Sequence, residues 1–279
     1  MARINLVEAK HLKYSYAASK GASCALDNVS FKVKKGELVA ILGRCGSGKT
    51  TLARHLNALL PVQDGELTVA GLDTRDGNNV WSLRQKCGMV FQNPDSQFVS
   101  AVVGDDIAFG IRNFGTPPEE ILQRVKEALE AVGLAGFERR SVQFLTGGQK
   151  QRAAIAGVLA VKPDIMVFDE PFSMLDPEAR RELTLLINSL HDRGKTIILI
   201  SQSTEDALTA DRVVLMDEGK ILAQGKPRKL LSELEILHRA GLTPPLPVRI
   251  YYDLKKAGIE LPLCPITLEE LVDAVCQFR

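Results

Sequence analysis

Three short runs in this chain are apolar almost without a break: Leu38 to Leu42 (LVAIL), Ile165 to Phe168 (IMVF) and Thr196 to Ile200 (TIILI). Runs of that length, separated by long helical patterns, predict strands of a parallel sheet covered on both faces. Two weaker stretches, Val29 to Val33 and Glu66 to Val69, are bounded by Gly, Asp or Lys and predict a small antiparallel sheet near the N-terminus. Thr116-Pro117-Pro118-Glu119 predicts a helix capped by Thr116, with Pro117 in its first position and Glu119 three residues after the cap. Ile121, Leu122, Val125, Leu129 and Val132 continue its apolar stripe, and Leu183, Leu186, Ile187 and Leu190 mark a second helix before Gly194. Arg212 to Met216 and Lys220 to Ala223 flank an Asp-Glu-Gly turn and predict a hairpin. After Gly225 the character changes. A Leu-rich helix near Leu230 to His238 leads to Thr243-Pro244-Pro245-Leu246-Pro247 and then to two more helical patterns, the last starting at Thr267 with Glu270 completing a capping box.

Composition narrows the function classes. Lys plus Arg number 35 against 34 for Asp plus Glu, a net charge of +1, so no whole-protein field draws in nucleic acid or anionic lipid. Hydrophobic residues at 45% and charged residues at 25% are the balance of a globular chain. The longest apolar stretch, around Ala153 to Val161, is well short of the roughly 18 to 20 residues a membrane span needs. The N-terminus lacks an export signal, so a cytosolic location is expected. The cysteines Cys24, Cys45, Cys87, Cys264 and Cys276 are scattered with no CxxC pair, which argues against a disulfide framework or a zinc site.

The chemistry starts at Gly43-Arg44-Cys45-Gly46-Ser47-Gly48-Lys49-Thr50, followed by Thr51, between the LVAIL strand and a helical stretch starting at Thr50. This fits the GxxxxGK[ST] phosphate loop in its required strand-to-helix setting. Its glycines let backbone N–H groups converge on phosphate, the helix start adds partial positive charge, Lys49 reaches the β and γ phosphates, and Thr50 ligates Mg²⁺. The IMVF strand ends in Asp169 and Glu170, suited to the magnesium shell and to polarising a water toward the γ-phosphate. Together these residues predict a nucleoside triphosphatase. Cys45, inside the loop, is either a small neutral filler or a reactive thiol that nucleotide would protect from alkylation.

Leu145-Thr146-Gly147-Gly148-Gln149-Lys150-Gln151-Arg152, preceding a helix and the carboxylate strand, makes the chain resemble the ATP-binding cassette family, whose signature is usually LSGGQ. Val90-Phe91-Gln92 and Ser173-Met174-Leu175-Asp176 add to the resemblance. Phe91 to Phe98 (FQNPDSQF) and Asp105 to Gly110 (DDIAFG) point to one branch, the ATPase subunits of energy-coupling-factor transporters. The fold this implies is an α/β P-loop NTPase of the cassette type, with a RecA-like parallel-sheet core, an N-terminal antiparallel β-subdomain and a helical subdomain at about 93–160. The cassette would span 1–225 and a small helical C-terminal domain 226–279.

The resemblance also implies roles. Thr146, Gly147, Gly148 and Gln149 would bind the γ-phosphate of ATP held by an opposing subunit, and Gln92 would touch Mg²⁺ and relay closure. Tyr16 aligns with the aromatic on which the family stacks adenine, although a packed strand aromatic is an equal reading and Tyr14 is a substitute. Phe98, Val99, Val102 and Val103 are either a docking surface or core of the helical subdomain. Implied partners are a second ATP-binding cassette, a membrane-spanning coupling protein and a substrate-binding membrane protein, with no nucleic acid. The chain would sit peripherally on the cytoplasmic face of the membrane and energise uptake of a vitamin or transition-metal ion.

One position departs from the family. The histidine that normally follows the third buried strand is replaced by Gln202 in Ile200-Ser201-Gln202-Ser203. Glutamine donates a hydrogen bond but carries no charge. This suggests a heterodimer whose other cassette has the faster site, although Gln202 working adequately beside Glu170 is the alternative. Two other classes stay open: a soluble cassette acting on nucleic acid, disfavoured by the absence of a coiled-coil insertion and of basic excess, and a nucleotide-binding partner with weak catalysis.

Overall fold

The structure, a computed structural model, describes residues 4–16 and 24–277. The chain opens with β1 (Asn5–Tyr14) and β2 (Leu26–Lys34), passes through β3 (Leu38–Leu42) into α1 (Lys49–Leu56), and returns in β4 (Asp64–Val69) and β5 (Leu72–Asp73). Next come α2 (Val80–Lys86), β6 (Cys87–Val90), α3 (Val103–Asn113), α4 (Pro118–Ala131) and α5 (Gly147–Ala160). The second half holds β7 (Ile165–Asp169), α6 (Pro177–Asp192), β8 (Thr196–Ser201), β9 (Arg212–Asp217) and β10 (Lys220–Gly225). Four helices end it: α7 (Pro227–Leu231), α8 (Leu234–Arg239), α9 (Leu246–Lys256) and α10 (Leu268–Gln277).

Two sheets result. The larger has the order β10-β9-β3-β8-β7-β6, parallel except for β10. The smaller is antiparallel, β2-β1-β4-β5. Alternation along the central strands sorts side chains to two cores. Leu38, Ala40, Leu42, Met166, Phe168, Ile197 and Leu199 face the helical side with α3 to α6. Val39, Ile41, Ile165, Val167, Ile198 and Ile200 face α1 and the antiparallel sheet. Burial on both faces is why these strands read as unbroken apolar runs.

Differences from the sequence reading have local causes. Strand β1 gives no simple period-2 signal because its register shifts between Ala9 and Leu12, where His11 has φ 51° and its N–H donates to Ser30 Oγ. The buried set therefore jumps from Val7 and Ala9 to Leu12 and Tyr14. Helix α4 starts one residue later than expected: Pro117 is its N-cap, Pro118 its first residue, and Thr116 makes no cap bond. The single helix expected at 230–238 is two, α7 and α8, because the backbone turns extended at Glu233, after Ser232 caps α7. Helix α1 includes Lys49. At α10, Thr267 Oγ1 accepts from Glu270 N, but the Glu270 carboxylate accepts from Ile266 N instead of closing the box on Thr267.

The first part of the tail packs on the cassette. Leu230, Leu231, Leu237, Ala240 and Leu242 belong to the helical-side core. Ala240 O accepts from Arg44 N in the phosphate loop at 3.2 Å, and Thr243 O accepts from Thr204 Oγ1 at 2.8 Å.

Candidate nucleotide site

Residues 43–48 leave the C-terminal end of β3 and turn into α1, which places the phosphate loop at the edge where parallel α/β sheets bind ligands. Gly48 is the N-cap of α1 with φ 100°, and a Cβ there would lie 2.4 Å from Ala25 O, so no side chain fits. Lys49 is buried. Its Nζ donates to the carbonyls of Gly43 at 2.7 Å and Arg44 at 2.9 Å and stands 3.7 Å from Glu170 Oε1. Burial pushes the ammonium pKa below the ordinary lysine value, with the Glu170 carboxylate as the main opposing influence.

Strand β7 delivers the two carboxylates. Asp169, only 4% exposed, accepts from Thr50 Oγ1 at 3.0 Å. Burial raises its pKa above the usual carboxylate value, and the Thr50 hydrogen bond opposes that. Glu170 has φ 52°, a left-handed backbone uncommon for a non-glycine residue. Its N–H donates to Ile200 O at 3.0 Å, and its carboxylate accepts from Gln202 Nε2 at 2.9 Å. The Gln202 amide thus lies on the glutamate that sequence reasoning assigned to the attacking water.

A cleft of about 890 Å³ joins the phosphate loop, Thr51, Tyr16, Gln92, Glu170 and Gln202. The Tyr16 hydroxyl lies 3.1 Å from Thr51 Oγ1. Tyr14 is buried instead, edge-on to His55 and Tyr16, and does not line the cleft. Cys45 is exposed on the cleft wall. The buried ammonium, the buried carboxylate and the threonine hydroxyl bonded to it form a set of hard oxygen donors and cationic charge. Both buried groups have pKa values pushed against their charged forms, so a Mg²⁺-bound polyphosphate fits them.

The signature residues stand elsewhere. Thr146 Oγ1 accepts from Gln149 N at 3.3 Å while Gln149 Oε1 accepts from Thr146 N at 3.1 Å, a capping box at the start of α5. Thr146 and Gly147 are exposed, and none of Thr146, Gly147, Gly148 and Gln149 lines the cleft. Gly148 is needed for close approach, since a Cβ there would meet Ala179 Cβ of α6 at 2.7 Å. The reciprocal T-x-x-Q cap was a readable signal that the sequence reading did not use. Two ties escaped it because they join distant positions. Lys150 Nζ donates to Asp95 Oδ1 at 2.7 Å, linking α5 to the loop after Gln92. Arg44 pairs with Asp217 and Glu218. Of the four apolar residues after that loop, Val103 is fully buried, Phe98 and Val102 are partly buried, and Val99 is exposed.

A phosphate loop, a carboxylate strand beside it in a parallel sheet, and a second glycine-rich helix start outside the cleft define a P-loop nucleoside triphosphatase of cassette architecture. The profile of the ABC transporter family matches residues 26–173. The chain is 44% identical over 277 residues, 99% of each chain, to the energy-coupling factor transporter ATP-binding protein EcfA1 of Clostridium novyi (strain NT). It is 42% identical over 274 residues to the cobalt import ATP-binding protein CbiO of Syntrophus aciditrophicus (strain SB), covering 98% of this chain and 97% of that one. Among solved structures it resembles cbiO1 from Clostridium perfringens, part of the ABC transporter complex cbiONQ. That match has a TM-score of 0.76 and 33% identity, covering 90% of this chain and 99% of that one. The chain therefore belongs to the ABC transporter family, in the branch of energy-coupling-factor transporter ATP-binding proteins.

Proposed function

We propose that the chain binds and hydrolyses ATP to energise uptake of a vitamin or transition-metal ion through a membrane energy-coupling-factor transporter. One observation carries this reading: Lys49, Thr50 and Glu170 line one cleft, Asp169 is bonded to Thr50 beside it, and Thr146 to Gln149 lie outside it. A site so divided is completed when the signature of a second cassette covers the nucleotide. Tyr16 faces the base, and the loop from Gly43 through Gly48, with Lys49, Thr50 and Thr51, grips the phosphates. Thr50, Asp169 and Gln92 would hold Mg²⁺, which when bound neutralises phosphate charge. Glu170 orients the attacking water and accepts its proton, and the γ-phosphoryl passes in line from the ADP oxygen to that water.

No helix among the described residues is long and apolar enough to cross a membrane. In this reading the membrane parts come from a coupling protein and a substrate-binding protein, and the chain docks on their cytoplasmic face. The partner cassette is a related, non-identical chain. The Gln202 contact favours that choice: it holds Glu170 in place but brings no positive charge to the γ-phosphate. The same contact supports a second reading, a cassette whose own site turns over slowly and mainly serves its partner's. The transporter names of the relatives favour transport over action on nucleic acid. The test is recovery of the full chain from membranes under mild detergent. Another cassette and an apolar membrane protein in the complex support the proposal, whereas ribosomes or DNA in their place overturn it.

A further inference from the structure

We propose that Arg180 and Asp206 are positioning residues for ATP hydrolysis, a half-buried ion pair that sets Gln202 against Glu170. The inference rests on the hydrolytic reading above. Glu170 and Gln202 sit just past the ends of neighbouring strands, where the β7–β8 ladder stops at Asp169 and Ile200. The first segment then runs toward α6, while the second stays in the sheet through Ser201, paired with Leu42, before a short 3-10 turn over 204–207. The Glu170 N–H bond to Ile200 O holds the two backbones together at the strand ends, and the 2.9 Å side-chain contact further requires that the segment carrying Gln202 be fixed.

Asp206 and Arg180 fix that segment. One Asp206 oxygen accepts from Ser201 Oγ at 2.5 Å, and Ser201 Oγ in turn accepts from Ser203 N at 3.0 Å. The residues on both sides of Gln202 are therefore anchored to one carboxylate. Its other oxygen accepts from Arg180 Nη2 at 2.6 Å, and Arg180 lies in the first turn of α6, the helix that follows Glu170. The guanidinium also stands 5.2 Å from the ring centroid of Phe172, a buried residue two positions beyond Glu170. The Asp206 side chain is 4% exposed and that of Arg180 33%, so solvent screens the pair far less than a surface bridge. The pair, Glu170 and Gln202 all border a cavity of about 490 Å³, while neither Arg180 nor Asp206 lines the nucleotide cleft. They act on the reaction through Gln202 without touching nucleotide.

A merely structural pair predicts lost stability and unchanged chemistry in the molecules that remain folded. The experiment therefore uses near-isosteric variants of the full chain, Asp206→Asn and Arg180→Lys, with melting curves to measure the folded fraction. Single-turnover phosphate release by the assembled cassettes, with protein in excess over Mg-ATP, reads the chemical step, and equilibrium ATP titration reads binding. Asp206→Asn is expected to slow release about ten-fold per folded molecule and leave the ATP dissociation constant within about two-fold, as misplacement of a positioning group does. Arg180→Lys, which keeps the charge, is expected to fall between Asp206→Asn and the parent. In a Gln202→Ala background, Asp206→Asn is expected to add nothing, because both changes remove one function. Full additivity with Gln202→Ala, or an unchanged rate in Asp206→Asn, overturns the positioning role. Parental rates in both Glu170→Gln and Gln202→Ala would instead show that the hydrolytic reading has failed and taken the positioning role with it.

Discussion

The two functional ends of this chain are built to different standards of completeness. At the cleft, the functional side chains are held by partners from the same polypeptide: Lys49 by two carbonyls, Thr50 by Asp169, and the Glu170 carboxylate by Gln202, while its backbone N–H donates to the Ile200 carbonyl. At the start of α5, the Thr146 and Gln149 side chains bond to each other's backbone N–H, and Thr146 and Gly147 are exposed. The cleft's side chains are already fixed by contacts within the chain. The signature end is a capped helix start with partial positive charge. In the proposed reading, the difference is why one chain holds the parts of a phosphoryl-transfer site without assembling them.

The sharpest way to break that comparison is to alter one end and read the other. Glu170→Gln removes the proton acceptor and leaves Lys49 and Thr50 in place. Phosphate release is expected to fall about 10³-fold while ATP affinity is kept, as loss of a group used only in the transition state implies. Parental turnover in rapid-quench measurements would remove Glu170 from the chemistry. Thr146→Ala acts at the opposite end. Single-turnover release by the assembled cassettes is expected to fall about ten- to hundred-fold, and ATP affinity of the isolated chain to stay unchanged. Weakened ATP binding by the isolated Thr146→Ala chain would mean that the two ends are not separate.

Much of this division is legible in the sequence, for reasons that also explain the gaps. Leu38 to Leu42 and Thr196 to Ser201 are buried on both faces, so the parallel core needs no periodicity to be seen. The phosphate loop is legible because its requirements are local: glycine where only glycine fits at Gly48, a lysine next, and a hydroxyl after that. Strand β1 is hidden by the bulge at His11, which moves buried positions out of alternation. The break at Ser232 and Glu233 is hidden because Leu230, Leu231 and Leu237 keep the spacing of one apolar stripe while the backbone turns between them. The Arg180–Asp206 and Asp95–Lys150 pairs join residues 26 and 55 positions apart, a separation no local pattern records.

Gln202 tests how complete the cleft end is. The amide supplies a donor to Glu170 but no charge, so Gln202→His is expected to raise turnover of the self-associated chain about ten-fold without a change in ATP affinity. Equal rates for the two proteins in a steady-state phosphate assay would mean that glutamine suffices and that the heterodimer argument loses its support.

The smallest expected effect probes the helix beneath the phosphate loop. His55 lies on the buried face of α1 against Tyr14, with Nδ1 2.7 Å from Thr51 O, so Nδ1–H donates. Burial lowers its pKa below the ordinary 6.5, more than the Thr51 and Pro61 carbonyls raise it. As pH falls through about 6.5 the unfolded chain takes up a proton that the folded chain refuses, so the unfolded state binds more protons and folding stability drops. The drop continues until pH reaches the depressed folded-state value, with a slope of at most about 1.4 kcal/mol per pH unit for one proton. Denaturant melts of the parent and of His55→Phe between about pH 7 and 5 isolate this contribution, because the other histidines are common to both proteins. The parent is expected to lose stability faster on acidification, and identical slopes would show that α1 does not depend on an uncharged ring to hold Lys49 and Thr50 at the cleft.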